Sequence, residues 1–130
     1  MLTDKSSMPD ARGSVLIFLK AESFAQSVKK ALETNGYSGT TVTTESLALA
    51  EVKSKVPCLI ILDHGSGSVV NFRRMSMLRT IPIVAVQDGN VSCEDEACLK
   101  EYDQDIDLVV CGQSVRELVA RVRAILRRRD

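Results

Sequence analysis

The chain has 130 residues, 45% of them hydrophobic and 26% charged, so one ordinary core can form without metal or disulfide staples. Seventeen basic and seventeen acidic residues cancel to zero formal charge, which removes any global case for nucleic acid or an acidic membrane surface as partner. No apolar run approaches the length of a membrane span, and residues 1–13 lack the apolar stretch of a signal peptide, so the chain is expected to be cytoplasmic.

Residues 1–13, polar and rich in turn formers, are read as a disordered lead-in to a single domain over residues 14–130. Residues 14–19, SVLIFL, form a short continuous apolar run, as strands buried on both faces do. Residues 23–35 place Phe24, Val28 and Leu32 on one stripe, with Gly36 as the stop signal of a helix. Residues 40–44, TTVTT, are β-branched and mostly polar, which suits an edge strand. A short helix is expected over 46–56, with Pro57 opening the next strand, CLIIL at 58–62.

Val69, Phe72, Met75 and Leu78 fall near helical spacing and predict a helix over 69–79, short because only 17 residues separate Asp63 from Ile81. Residues 81–86, IPIVAV, and 106–111, IDLVVC, are two more buried strands, joined by a weaker, acidic helical candidate at 93–104. Over 114–128, Ser114 and Glu117 make a capping box, and Val115, Leu118, Val119, Val122, Ile125 and Leu126 make an apolar face. Cys58, Cys93, Cys98 and Cys111 show no metal-ligand spacing and read as reduced thiols, with Cys58 and Cys111 as small core residues.

Five β-α units in succession require right-handed crossovers and a parallel sheet with helices on both faces. The fold expected is the flavodoxin-like (βα)5 doubly wound α/β sheet, strand order 2-1-3-4-5. Ligands of such sheets bind beyond the carboxyl ends of the strands, at the switch point between strands 1 and 3. The residues nominated are Leu19, Lys20 and Glu22 after strand 1, Asp63, His64 and Gly65 after strand 3, Gln87 and Asp88 after strand 4, and Cys111 and Gly112 after strand 5.

The run CLIILDHG resembles the third strand of response-regulator receiver domains, where an apolar run ends in the aspartate that accepts phosphate. IPIVAVQ resembles their fourth strand and SVRELVARVRAILRR their last helix, so the resemblance spans residues 14–128. It implies a signalling domain of two-component or phosphorelay type, not an enzyme, with Asp63 as the phosphoacceptor equivalent. It also implies protein partners or a homodimer through the fourth and fifth helices, and a DNA-binding output domain where the chain is longer.

The rest of the family's site is missing. Leu19 and Lys20 stand where receivers carry the acidic pair that binds magnesium with the acceptor aspartate. Gln87 replaces the Thr or Ser of strand 4, Cys111 and Gly112 occupy the place of the strand 5 lysine, and Leu108 replaces an aromatic residue. Magnesium prefers octahedral oxygen ligands, and one carboxylate beside an ammonium is a poor offer. With Lys20 about 4 Å from Asp63, their attraction is on the order of 4 kcal/mol before desolvation, at an effective dielectric near 20.

The expectation is therefore a degenerate receiver without a cofactor, acting by protein–protein interaction, with either a Lys20–Asp63 pair or Asp63 as a turn cap. One alternative is a working phosphoacceptor whose acidic site is rebuilt from Asp63, Glu22 and Asp88 with magnesium. Another is a flavodoxin-like small-ligand domain, disfavoured by two Tyr, three Phe and no Trp for stacking. His64 reads as a turn residue, and Gly65-x-Gly67 is weak as a phosphate cradle. Six Arg in the last fifteen residues (Arg116, Arg121, Arg123, Arg127, Arg128 and Arg129) form a solvated basic face rather than a nucleic-acid contact. Facing it in charge is the acidic set Glu94, Asp95, Glu96, Glu101, Asp103, Asp105 and Asp107, which suggests a dimer of acidic against basic helix.

Overall fold

The computed structural model describes residues 13–64, 68–87, 106–111 and 114–129. The elements are β1 (Ser14–Phe18), α1 (Glu22–Thr34), β2 (Ser38–Val42), α2 (Glu45–Ser54), β3 (Leu59–Asp63), α3 (Ser68–Arg74), a 3-10 turn (Ser76–Leu78), β4 (Ile83–Gln87), β5 (Leu108–Cys111) and α4 (Val115–Arg129). All strand pairs are parallel, in the order β2-β1-β3-β4-β5, which is the expected 2-1-3-4-5 arrangement. The lead-in at 1–12 and the acidic helical candidate at 93–104 lie outside the described residues. No helix among the described residues is long and apolar enough to cross a membrane.

Alternation along each strand divides the core into two layers. Val15, Ile17, Leu59, Ile61, Val84, Val86 and Val110 face α1 and α4, where they meet Val28, Leu32, Leu118 and Val122. Leu16, Ile60, Leu62, Ile83 and Ala85 face α2 and α3, where they meet Ala48, Val52, Val69 and Phe72. Strands covered on both sides need no polar alternation, and this is why the apolar runs were continuous. β2 pairs with β1 alone and sits at the edge, consistent with its polar composition.

Two glycines hold turns that other residues would strain. Gly36 has φ 90° and follows α1 in a Schellman motif: its amide donates to Glu33 O at 3.1 Å, and that of Tyr37 to Leu32 O at 3.0 Å. Tyr37 and Leu32, the motif's apolar pair, are both buried. Gly13 has φ 105°, and a Cβ there would lie 2.7 Å from Cys58 Sγ. Its carbonyl accepts the Ser38 amide at 3.0 Å, so this last residue of the expected lead-in belongs to the fold.

Some boundaries differ from those expected. β2 covers 38–42 rather than 40–44, because Thr44 leaves the strand to cap α2, its hydroxyl accepting the Leu47 amide at 3.2 Å. The helix expected over 69–79 ends at Arg74, and Met75 is extended before the 3-10 turn. The Arg73 guanidinium accounts for the break: it donates to Leu78 O (2.8 Å), Arg79 O (3.2 Å) and Ile81 O (2.8 Å), carbonyls that no longer need helical partners. At α4, Ser114 Oγ accepts the Glu117 amide at 3.1 Å, while the Glu117 carboxylate turns to Arg121 at 3.7 Å.

Candidate functional site

Parallel strands bring every nominated position that is described to one edge of the sheet. Phe18 pairs with Leu62, Asp63 with Val86 and Gln87 with Cys111, so the carboxyl ends of β1, β3, β4 and β5 lie side by side. Asp63 closes β3 half-buried and continues the Leu59–Ile61 face toward α1 and α4. The chain turns directly after it, with the His64 amide donating to Val86 O at 2.9 Å. Asp88 and the glycines at 65 and 67 lie outside the described residues.

Asp63 is held from across the switch point. Its Oδ2 accepts the backbone N–H of Lys20 at 2.7 Å, a short bond of the kind a carboxylate makes with an amide. The contact between Lys20 and Asp63 is therefore made by the main chain, whereas the sequence left open a side-chain pair with Lys20 or a turn cap by Asp63. The Lys20 side chain is exposed, and so is Glu22 in the first turn of α1. Leu19 lies 2% exposed in the α1–α4 layer. The bond joins the β1–α1 loop to the end of β3 and occupies one oxygen of the acceptor-equivalent group.

Gln87 is the last residue of β4 and is 2% exposed. An amide at this place offers hydrogen bonds without the compact hydroxyl of Thr or Ser. Leu108 packs partly buried against the α1–α4 layer, an apolar contact where the family resemblance implies an aromatic ring. Among the described residues, no three His, Cys, Asp or Glu side chains gather as a metal centre would require. Cys58 is half-buried, its Sγ donating to Ser14 O at 3.0 Å, consistent with the small packing residue expected.

Two constellations beside the nominated residues were missed in the sequence. Glu45, in the first turn of α2, accepts from Ser68 Oγ at 2.6 Å and from Asn71 Nδ2 at 2.7 Å. This carboxylate ties α2 to the first turn of α3, next to where the chain leaves Asp63. At the opposite edge of the sheet, Arg73 Nη2 meets Asp107 Oδ2 at 3.2 Å, and the same oxygen accepts the Ile83 amide at 2.7 Å. Asp107 is thus committed to the fold, whereas the sequence counted it with the acidic dimer face. Neither pairing follows a short spacing, so neither carried a sequence signal.

Comparison with known proteins gives the same answer as the geometry. No family model matches the chain. Sensory transduction protein RegX3 of Mycobacterium tuberculosis H37Rv is 32% identical over 120 residues, covering 88% of this chain and 51% of that protein. The chain thus spans about half the length of the curated relatives it matches. The receiver domain of Francisella response regulator 1452 superposes with a TM-score of 0.77 at 20% identity, covering 91% of this chain and 99% of that one. HP1043, an orphan response regulator of H. pylori, gives 0.71 at 18% identity, with 87% and 95% covered. Those two identities speak for the fold alone; the RegX3 relatives extend the likeness to sequence. The chain carries a receiver domain of the response-regulator kind, the signalling module of two-component systems.

Proposed function

We propose that this receiver domain acts as a cytoplasmic protein-interaction module that does not run the standard magnesium-dependent phosphoryl transfer, and that it is not an enzyme. The observation that carries the reading is the state of Asp63: one oxygen bound to the Lys20 amide, with Leu19 buried and Lys20 exposed where an acidic pair would stand. Magnesium does not fit this donor set. It wants carboxylate and water oxygens around it, and these two positions offer a hydrocarbon and a cation. Phosphoryl transfer also depends on charge stabilisation at the equatorial oxygens, and Gln87 and Cys111 supply neither hydroxyl nor ammonium.

Partner binding is then the route to output, through α4 and the acidic segment before β5, as a homodimer or with another protein. The curated relatives are about twice the matched length, and in a chain of that length the family resemblance implies an output domain that binds DNA.

The test is an amide-resolved NMR titration of the domain with magnesium and then beryllofluoride, a phosphoryl mimic. The expected result is a well-dispersed spectrum with no shifts at millimolar magnesium. Shifts clustered at Asp63, Glu22, Asp88 and the ends of β4 and β5 would establish a rebuilt phosphoacceptor site and end this reading.

A further inference from the structure

A groove runs between α1 and α4. Ala31, Val115, Val119 and Ala120 make its apolar lining, and Asn35, Arg116 and Arg123 stand around them. Two alanines on facing helices leave room for a third helix to approach closely. The Asn35 side chain is partly tied to its own helix, its Nδ2 donating to Ala31 O at 2.7 Å.

The charges on this groove are all of one sign. α4 makes one internal ion pair, Glu117 with Arg121 at 3.7 Å, which leaves Arg116 and Arg123 without an acidic partner among the described residues. At about 100° per residue, Arg116, Arg123 and Arg127 fall within about 40° of one another on α4, on the groove side, while Arg121 and Arg128 lie more than about 100° round the helix. Arg116 and Arg123 are seven residues apart, about 10.5 Å along the axis, the spacing that two turns of another helix reproduce. A second copy placed face to face on this groove would set these guanidinium groups against their own mates, which is unfavourable.

We infer that the α1–α4 groove is a docking site for an acidic amphipathic helix of a protein partner. Such a helix lays small or leucine-like residues between Ala31 and Ala120, and presents carboxylates seven residues apart to Arg116 and Arg123. Arg is suited to the rim because its planar fork grips a carboxylate with two hydrogen bonds. This surface lies on the side of α4 away from Arg121 and Arg128, and its use does not depend on the chemistry at Asp63.

The test uses the full chain and a fluorescein-labelled helical peptide with glutamates seven residues apart and leucines between them. Control peptides carry lysine for glutamate, or the same glutamates on a polar, leucine-free helix. Anisotropy should show saturable, salt-sensitive binding of the first peptide alone. Amide shifts should map to Ala31, Val115, Val119 and Ala120, and R116E with R123E should weaken binding by at least about tenfold. The lysine peptide should then bind the charge-reversed variant. Arg116 is exposed and Arg123 half-buried, and circular dichroism checks that the fold is kept. Equal binding of the polar peptide, shifts centred on Arg121 and Arg128, or no binding at millimolar peptide would each overturn the assignment. A dimer that R116E and R123E abolish would overturn it in favour of a second copy.

Discussion

Leu19 and Lys20 are neighbours in the chain and opposites in environment: the first is 2% exposed in the core and the second points to water. Restoring an acidic pair would therefore meet unequal resistance. Lys20→Asp should cost less than about 0.5 kcal/mol, as surface changes do. Leu19→Asp should cost on the order of 3 kcal/mol, because it removes a packed side chain and buries an unpaired carboxylate. Urea unfolding of the two variants measures this, and equal midpoints would mean that Leu19 is not a core residue. Asp63→Ala should cost about 1 kcal/mol by leaving the Lys20 amide without its acceptor, and Asp63→Asn, which keeps an acceptor oxygen, should cost less. At this scale the sequence located Asp63 at the end of a buried strand and put Lys20 beside it. It left a side-chain pair and a turn cap both open and did not offer the main-chain contact, because a backbone N–H belongs to every residue except proline and has no sequence signature.

Elements were legible wherever their periodicity was undisturbed, as in α1, α4 and the four apolar strands. The break after α3 was hidden because Val69, Phe72, Met75 and Leu78 keep a helical spacing that the chain does not follow. What replaces helical bonding is one side chain, Arg73, bound to three carbonyls and to Asp107. Its side chain is 15% exposed against 45% for Asp107, so the carbonyl bonds weigh more than a screened ion pair. Arg73→Ala should thus destabilise the domain by about 3 kcal/mol, and Asp107→Ala by about 1 kcal/mol, mostly through the lost acceptor of the Ile83 amide. Arg73→Lys should recover only part, since one ammonium can replace Nη1 at the carbonyls but not also Nη2 at Asp107. Denaturant midpoints for the three variants decide it, and a loss at Asp107 equal to that at Arg73 would return the weight to the ion pair.

For the molecule as a whole, zero net charge conceals an uneven distribution. The strand order was readable because five β-α units allow few right-handed arrangements, but the partners of the two charged regions were not, since a charge run does not say what it faces. β5 is an edge strand, flanked in sequence by acidic residues before it and by α4 after it. Arg121 and Arg128 lie on the side of α4 opposite the α1 groove, so a homodimer pairing them with Glu94, Asp95, Glu96, Glu101, Asp103 or Asp105 of a second copy is compatible with an occupied groove. Screening lengths of about 10 Å at 0.1 M salt and about 3 Å at 1 M predict that such a dimer forms at low salt and dissociates at high salt. Size exclusion with light scattering should show the mass fall toward that of the monomer as salt rises. R121E with R128E should give monomer throughout, while R116E with R123E should leave the dimer intact. A dimer insensitive to salt would point to an apolar interface instead, and a monomer at every concentration would leave α4 to hetero-partners alone.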